Sequence, residues 1–302
     1  MNSYKAFGLN IASELSFPEL AEETFSTHDV VIRYGQVPKE LEKPHVCKIR
    51  HQASPGEFLL NIKTVTRYYI TQGKEIIIEK APDTDEDTIR LYLLGSAMGA
   101  LLHQRGFFVL HGNAIASNGA CTVVTGNSGA GKSTLATAFY QQGYRILADD
   151  VCAISMETGV PMVIPGFPQL KIWAETANQL QLPTTELRQV RPNMEKYAVP
   201  THEQFTHEPL PLSGIYILSK HNQSSIETTP LSGIHKIDAL KNQTYRYAFL
   251  KGLGLLPKHL KHMGQLAATT KIKKIQRSDQ GFAINELMTI VTDNHKEKIL
   301  EY

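Results

Sequence analysis

The chain has 302 residues, 42% hydrophobic and 20% charged, with a formal net charge of +2, enough for one large domain or two modest ones around a buried core. Its basic and acidic residues are interspersed, so charge balance gives no reason to expect nucleic acid or an anionic membrane as the main partner. Local basic clusters such as Lys271-Ile272-Lys273-Lys274 read as solvated surface.

At the N-terminus, Met1 to Gly8 lacks the basic patch and apolar segment of a signal peptide, and no apolar run approaches the roughly 18 residues that span a bilayer. Cys47, Cys121 and Cys152 are odd in number and widely spaced, a pattern that fits a reducing cytoplasm. Residues 1–83 read as a small, mainly antiparallel β domain with a possible role in recognising the substrate. Its strand-like runs are 30–34, 58–62, 67–71 and 75–79, the last two joined across Gln72-Gly73-Lys74 in a hairpin.

Residues 84–302 read as a second, α/β unit. It begins with a helix capped by Thr84 or Asp85, in which Ile89, Tyr92, Leu93, Ala97, Ala100 and Leu101 fall at helical spacing and Gly106 follows the end. Strands 107–116 and 120–125 follow, turning at Asn118-Gly119. A glycine-rich loop, a helix from Lys132 to about Gln142 with Gly143 as its C′ residue, and a strand 145–148 complete a βαβ-like core. Downstream, Pro165-Gly166-Phe167-Pro168 forms a rigid turn, 172–180, 245–256 and 283–291 read as helices, and 215–219 as a strand. Residues 182–211 show no apolar period and read as a mobile loop or part of a substrate cleft.

The loop Gly126-Asn127-Ser128-Gly129-Ala130-Gly131-Lys132-Ser133 is a full P-loop, with Thr134 next in the helix. Its glycines let successive N–H groups turn inward around phosphate. The helix points its positive end at the same place, Lys132 reaches the β and γ oxygens, and Ser133 offers a hydroxyl to Mg²⁺. ATP and Mg²⁺ are the expected cofactors. Asp149-Asp150 ends the following strand, at the sheet edge where α/β proteins bind ligands. One carboxylate there suits a metal and a second suits the proton of an incoming hydroxyl. His111 sits in a strand that could reach this edge. Arg191, Lys196 and Arg246 are candidate cations for the acceptor side of the γ-phosphate.

Leu110-His111-Gly112, Gly126 to Ser133 and Arg145-Ile146-Leu147-Ala148-Asp149-Asp150 together resemble the C-terminal catalytic domain of HPr kinase/phosphorylase. The resemblance implies a fold similar to phosphoenolpyruvate carboxykinase. It also implies Asp149 as the base for a serine hydroxyl, His111 beside it, Asp150 with Ser133 at the metal, and a possible homo-oligomer. That family has an acidic residue where this chain has Thr134, and a downstream Glu-Ile-Arg-Gly-Leu-Gly signature where this chain has Ile164-Pro165-Gly166-Phe167-Pro168-Gln169-Leu170. Tyr4 to Leu9, Ser13-Glu14, Phe17-Pro18-Glu19-Leu20, Pro165 to Pro168 and Tyr245-Arg246 are similar to the HPr-kinase-like proteins of lasso-peptide biosynthesis. These imply a peptide partner phosphorylated on its C-terminal serine. An HPr-type kinase/phosphorylase, a nucleotide-gated ATPase or binding module, and a carboxykinase-like enzyme stand as alternatives.

Overall fold

The structure, a computed structural model, describes residues 1–292; residues 293–302 of the expected second unit lie outside the described residues. The N-terminal part is one nine-stranded sheet of β1 (Asn2–Ala6), β2 (Leu9–Ser13), β3 (Ala21–Glu22), β4 (Val30–Tyr34), β5 (Val46–Cys47), β6 (His51–Ser54), β7 (Glu57–Ile62), β8 (Thr66–Thr71) and β9 (Glu75–Lys80), in the order β3-β1-β2-β4-β9-β8-β7-β6-β5. β4 lies parallel to β2 and β9, and the other junctions are antiparallel. The β8–β9 hairpin closes where expected: Thr71 pairs with Glu75, and Gln72 and Gly73 take φ of 52° and 63°, the left-handed pair that a tight hairpin turn needs.

A helical rod follows, made of α1 (Glu86–Tyr92), a π-helical turn (Leu93–Ala97) and α2 (Met98–Gln104). Asp85 caps it, its carboxylate accepting the Thr88 N–H at 2.7 Å, and Gly106 at φ 87° ends it. The rod's Ile89, Leu93, Ala97 and Leu101 pack with Ile32, Phe58, Tyr68 and Ile76 of the sheet. The same cluster includes Val109, Val151 and Phe167 from further along. One apolar cluster therefore draws residues from both sides of the Pro82 region.

The second sheet comprises β10 (Phe108–Ser117), β11 (Ala120–Gly126), β12 (Arg145–Ala148), β13 (Val151–Ser155), β14 (Met162–Ile164), β17 (Leu210–His221), β18 (Glu227–Pro230) and β19 (Lys271–Ser278). Its order is β11-β10-β13-β14-β17-β19-β18, with β12 also on β10 and β11 returning to pair with β17 in parallel. β10, β13, β14, β17 and β11 thus close into a ring. β15 (Gln169–Trp173) and β16 (Lys196–Pro200) form a separate two-stranded ribbon. The helices are α3 (Lys132–Gln141), α4 (Ala174–Gln179), α5 (Ile234–Gln243), α6 (Ala248–Gly252), α7 (Leu256–Thr269) and α8 (Ile284–Thr292). β11 and β12 are both antiparallel to β10, so β10 intervenes in the βαβ-like unit and the fold is mixed α/β.

Several expectations change. Ile172 and Trp173 end β15, so the helix expected from 172 begins at Ala174; pairing with β16 holds them extended. The expected helix 245–256 is broken, because Gly254 turns left-handed at φ 72° and α7 starts afresh with a proline in its first turn. Tyr245 instead donates its N–H to the Val109 carbonyl at 2.8 Å. The unperiodic 182–211 segment contains β16 and a short 3₁₀ turn, His202–Gln204; five residues are too few to show a period. Lys271–Lys274 opens β19, with Ile272 buried and Lys273 and Lys274 half-buried rather than fully solvated. No helix among the described residues is long and apolar enough to cross a membrane.

Candidate functional site

The phosphate loop is shaped by close backbone approach. β11 runs parallel to β17 with Gly126 beside Leu218. Gly126 takes φ 142°, and a Cβ on it would lie 2.1 Å from the Leu218 carbonyl oxygen. Gly129 and Gly131 are also left-handed, at φ 77° and 106°, and α3 begins at Lys132. The Lys132 ammonium folds over its own loop, donating to the carbonyls of Gly126 at 2.8 Å and Asn127 at 3.2 Å. Burial lowers its pKa against the pull of Asp150 and Asp149. Ser128, Gly129, Gly131, Lys132, Ser133 and Thr134 all face a cavity of about 1140 Å³. Thr134 meets the Thr176 hydroxyl at 3.1 Å, tying α4 to the start of α3.

The two aspartates after β12 have opposite fates. Asp149 is 4% exposed; one carboxylate oxygen accepts from Asn113 Nδ2 at 2.6 Å and the other from the Lys171 N–H at 2.9 Å. Burial, reinforced by Asp150, pushes its pKa up to about 6. Asp150 takes φ 63°, a left-handed turn that aspartate tolerates better than most residues, and lines the cavity. Its Oδ2 meets Lys171 Nζ at 3.0 Å and Lys196 Nζ at 3.8 Å. Burial alone would raise the Asp150 pKa, but Lys171 and Lys196 overrule it and hold the carboxyl well below the usual range. Asp150 thus lines the cavity, while Asp149 lies buried behind it.

His111 comes to the same place as expected. Its Nδ1 lies 3.0 Å from the Asp150 carbonyl oxygen; a carbonyl only accepts, so Nδ1 carries the hydrogen and Nε2 keeps its lone pair. Burial, then Lys132, lowers its pKa. The Tyr245 ring lies 5.7 Å from the His111 ring, and the Arg246 guanidinium lies over the same Tyr245 ring at 5.6 Å. Lys196, Arg191 and Arg246 all line the cavity, so each candidate cation reaches the site. Lys196 also stacks over Trp173 at 5.7 Å.

Lys171, Asn113 and Tyr245 complete this arrangement, and sequence reasoning gave none of the first two a role. Lys171 is a lysine in a five-residue strand, and its importance arises only because β15 brings it beside Asp150. Asn113, 1% exposed, is an amide inside an apolar strand, the one local signal that marked it. Arg277 and Phe282 line the cavity beyond the loop and were also missed.

Among the described residues no three His, Cys, Asp or Glu side chains gather as a metal cage. Ser133 and Asp150 both line the cavity, and a hydroxyl with one carboxylate is a donor set that fits Mg²⁺, since that ion keeps waters and takes much of its shell from substrate phosphates.

No family model matches the chain, and no curated protein matches it. Among solved structures, 59 chains match. One is the HPr(Ser) kinase/phosphatase of Coxiella burnetii, at 12% identity and a TM-score of 0.33 over 63% of this chain and 92% of that one.

Proposed function

We propose that the protein is an ATP-dependent kinase that phosphorylates a serine hydroxyl of a peptide, with the C-terminal serine of a lasso-peptide precursor as the intended acceptor. The observation that supports this is the convergence of a full phosphate loop and the Asp150–Lys171–His111 group on one cavity of about 1140 Å³, room for a nucleotide and an acceptor side by side.

In this reading the loop amides and Lys132 hold the triphosphate, Lys132 leaving the carbonyls of Gly126 and Asn127 to do so. Phosphoryl transfer asks chiefly for positioning and charge neutralisation. Ser133 and Asp150 would hold magnesium, which would supply neutralisation of the phosphate charge. Asp150 faces the acceptor hydroxyl, with Lys171 fixing its orientation. Asp149 sits behind it as the more basic member of the carboxylate pair. Lys196, Arg191 and Arg246 give the acceptor end a positive character that suits a free terminal carboxylate beside the serine.

The test is incubation with γ-labelled ATP and three peptides: one ending in serine, the same peptide amidated at its C-terminus, and one ending in alanine. Label on the first, much less on the second and none on the third supports the reading. Release of labelled phosphate with no labelled peptide from any serine-ending sequence would sink it in favour of an ATPase module, and an oxaloacetate-dependent product in favour of a carboxykinase.

A further inference from the structure

The order of strands separates the two ends of the cavity. β10 and β12, which carry His111 and the Asp149-Asp150 pair, lie on one side of β11; β17 and β19, which carry Lys220 and Arg277, lie on the other. A triphosphate on the loop with its terminal phosphate toward Asp150 directs its nucleoside toward β17 and β19. At that end the cavity is lined by Lys220, Arg277, Asp279, Phe282 and Ile284, of which Phe282 is the aromatic.

The Phe282 ring is seated on the loop itself: a Cβ on Gly131 would lie 2.5 Å from its edge. Arg277 stacks over the ring with its guanidinium 4.5 Å from the centroid. Arg277 is only 6% exposed and is pinned by carbonyls, Nε to Ala130 at 2.9 Å and one terminal nitrogen to Ser278 at 2.7 Å and Gly281 at 3.1 Å. No carboxylate among the described residues forms an ion pair with it; its hydrogen bonds go to backbone carbonyls, and Asp279 nearby pulls its pKa up against the burial that lowers it. The ring is half-buried and borders both the main cavity and a neighbouring one of about 570 Å³ between α3 and α8. It is thus an aromatic ring set against the loop, stacked by a cation on one side and bordering the cavity.

We propose that Phe282, braced by Arg277, is the stacking platform for the base of the nucleotide whose phosphates the Gly126–Ser133 loop binds. This rests on the phosphate-loop reading above. Stacking of a base on an aromatic side chain contributes about 1–3 kcal/mol and tolerates any base, because every base has a π face. The Arg277 charge nearby favours the polyanion that the base is attached to.

The experiment is calorimetric titration of the full chain with ATP and with inorganic tripolyphosphate, each with magnesium. Wild type should bind ATP more tightly than tripolyphosphate. Phe282→Ala and the volume-keeping Phe282→Leu should each weaken ATP about five- to hundredfold and leave tripolyphosphate unchanged, while Phe282→Trp keeps ATP affinity. The tripolyphosphate arm also reports whether a variant remains folded. Wild-type ATP affinity in both Phe282→Ala and Phe282→Leu overturns the platform while the phosphate loop stands. Equal wild-type affinity for the two ligands does the same. Wild type that binds neither overturns the phosphate loop and the platform together.

Discussion

Lys171 holds both aspartates at once: its ammonium pairs with Asp150 at 3.0 Å and its backbone N–H donates to Asp149 at 2.9 Å. The ammonium bond is between side chains only 9% and 25% exposed. Lys171→Met leaves the Asp150 charge half-compensated by Lys196 alone. Breaking one partner of a buried pair costs on the order of 3–5 kcal/mol, less here because Asp150 is partly wet. The expected result is a loss of at least about 2 kcal/mol of stability in chemical denaturation. Lys171→Met with Asp150→Asn should recover part of it. Additive losses in the double variant would show that the two do not interact.

The glycines of the loop are not equivalent. Gly126→Ala drives a methyl into the Leu218 carbonyl at 2.1 Å, whereas nothing lies within 4 Å of a Cβ at Gly129, whose only obstacle is φ 77°. The strain of a left-handed alanine is about 1–2 kcal/mol. Gly129→Ala should therefore fold with a modest loss, and Gly126→Ala should lose several times more or separate β11 from β17. Similar melting temperatures for the two would count against the parallel register.

Two buried histidines make the fold sensitive to acid. His103 Nε2 lies 2.8 Å from the Tyr245 carbonyl oxygen and His259 Nε2 lies 3.0 Å from the Thr244 hydroxyl, so together they hold the turn that carries Arg246. Burial lowers His103 to about 4 and His259 to about 3, against 6.5 in the unfolded chain. Below pH 6.5 the unfolded state takes protons that the folded state refuses. The stability is complete above that value and drains as pH falls toward 4 and then 3. The full loss is up to about 3 kcal/mol for His103 and about 5 kcal/mol for His259, with Asp149, raised to about 6, opposing it. Denaturation between pH 7 and 4.5 should show stability falling with pH, and His259→Gln should flatten the slope. An unchanged slope in that variant would remove His259 from the account.

Gly99 sets two effects against each other. Alanine in a helix gains about 1 kcal/mol over glycine, yet a Cβ at Gly99 would lie 2.7 Å from the Tyr245 ring. The ring also packs by His111, so moving it shifts the cavity wall that the two form. Gly99→Ala should leave the melting temperature within a few degrees, reduce peptide phosphorylation about tenfold, and leave ATP affinity unchanged. Wild-type turnover would show that the Tyr245 position is not critical.

What could be read from the residues alone follows a physical division. Local devices were legible: the Asp85 cap, the Gln72-Gly73 turn, the phosphate loop with its flanking strand and helix. Each is made by residues within a few positions of one another. His111, Lys196 and Arg246 were placed near the loop through their types and through resemblance, and all three line the cavity. Lys171, Arg277 and Phe282 were not visible, because each acts through a partner in another element. Lys171 meets Asp150 only after the β15–β16 ribbon settles beside the end of β12, and Arg277 reaches Ala130 only after β19 pairs with β17. The exchanged exposure of Asp149 and Asp150 was equally hidden, since it depends on a single left-handed φ.

The first turn of the chain is tied to the segments that lead into this site. Phe7 donates its N–H to the Gly166 carbonyl at 3.3 Å, Gly166 donates its own to Leu147 at 2.7 Å, and the Phe7 and Phe167 rings meet edge-on at 6.1 Å. Leu147 lies two residues before Asp149, and Gly166 five before Lys171. Coupling of this kind is reciprocal: a ligand that orders the aspartates also quiets the hairpin beneath them. Deuterium uptake at Phe7 and Gly166 should then slow when the cavity fills, making the amino terminus a reporter of occupancy at a distance.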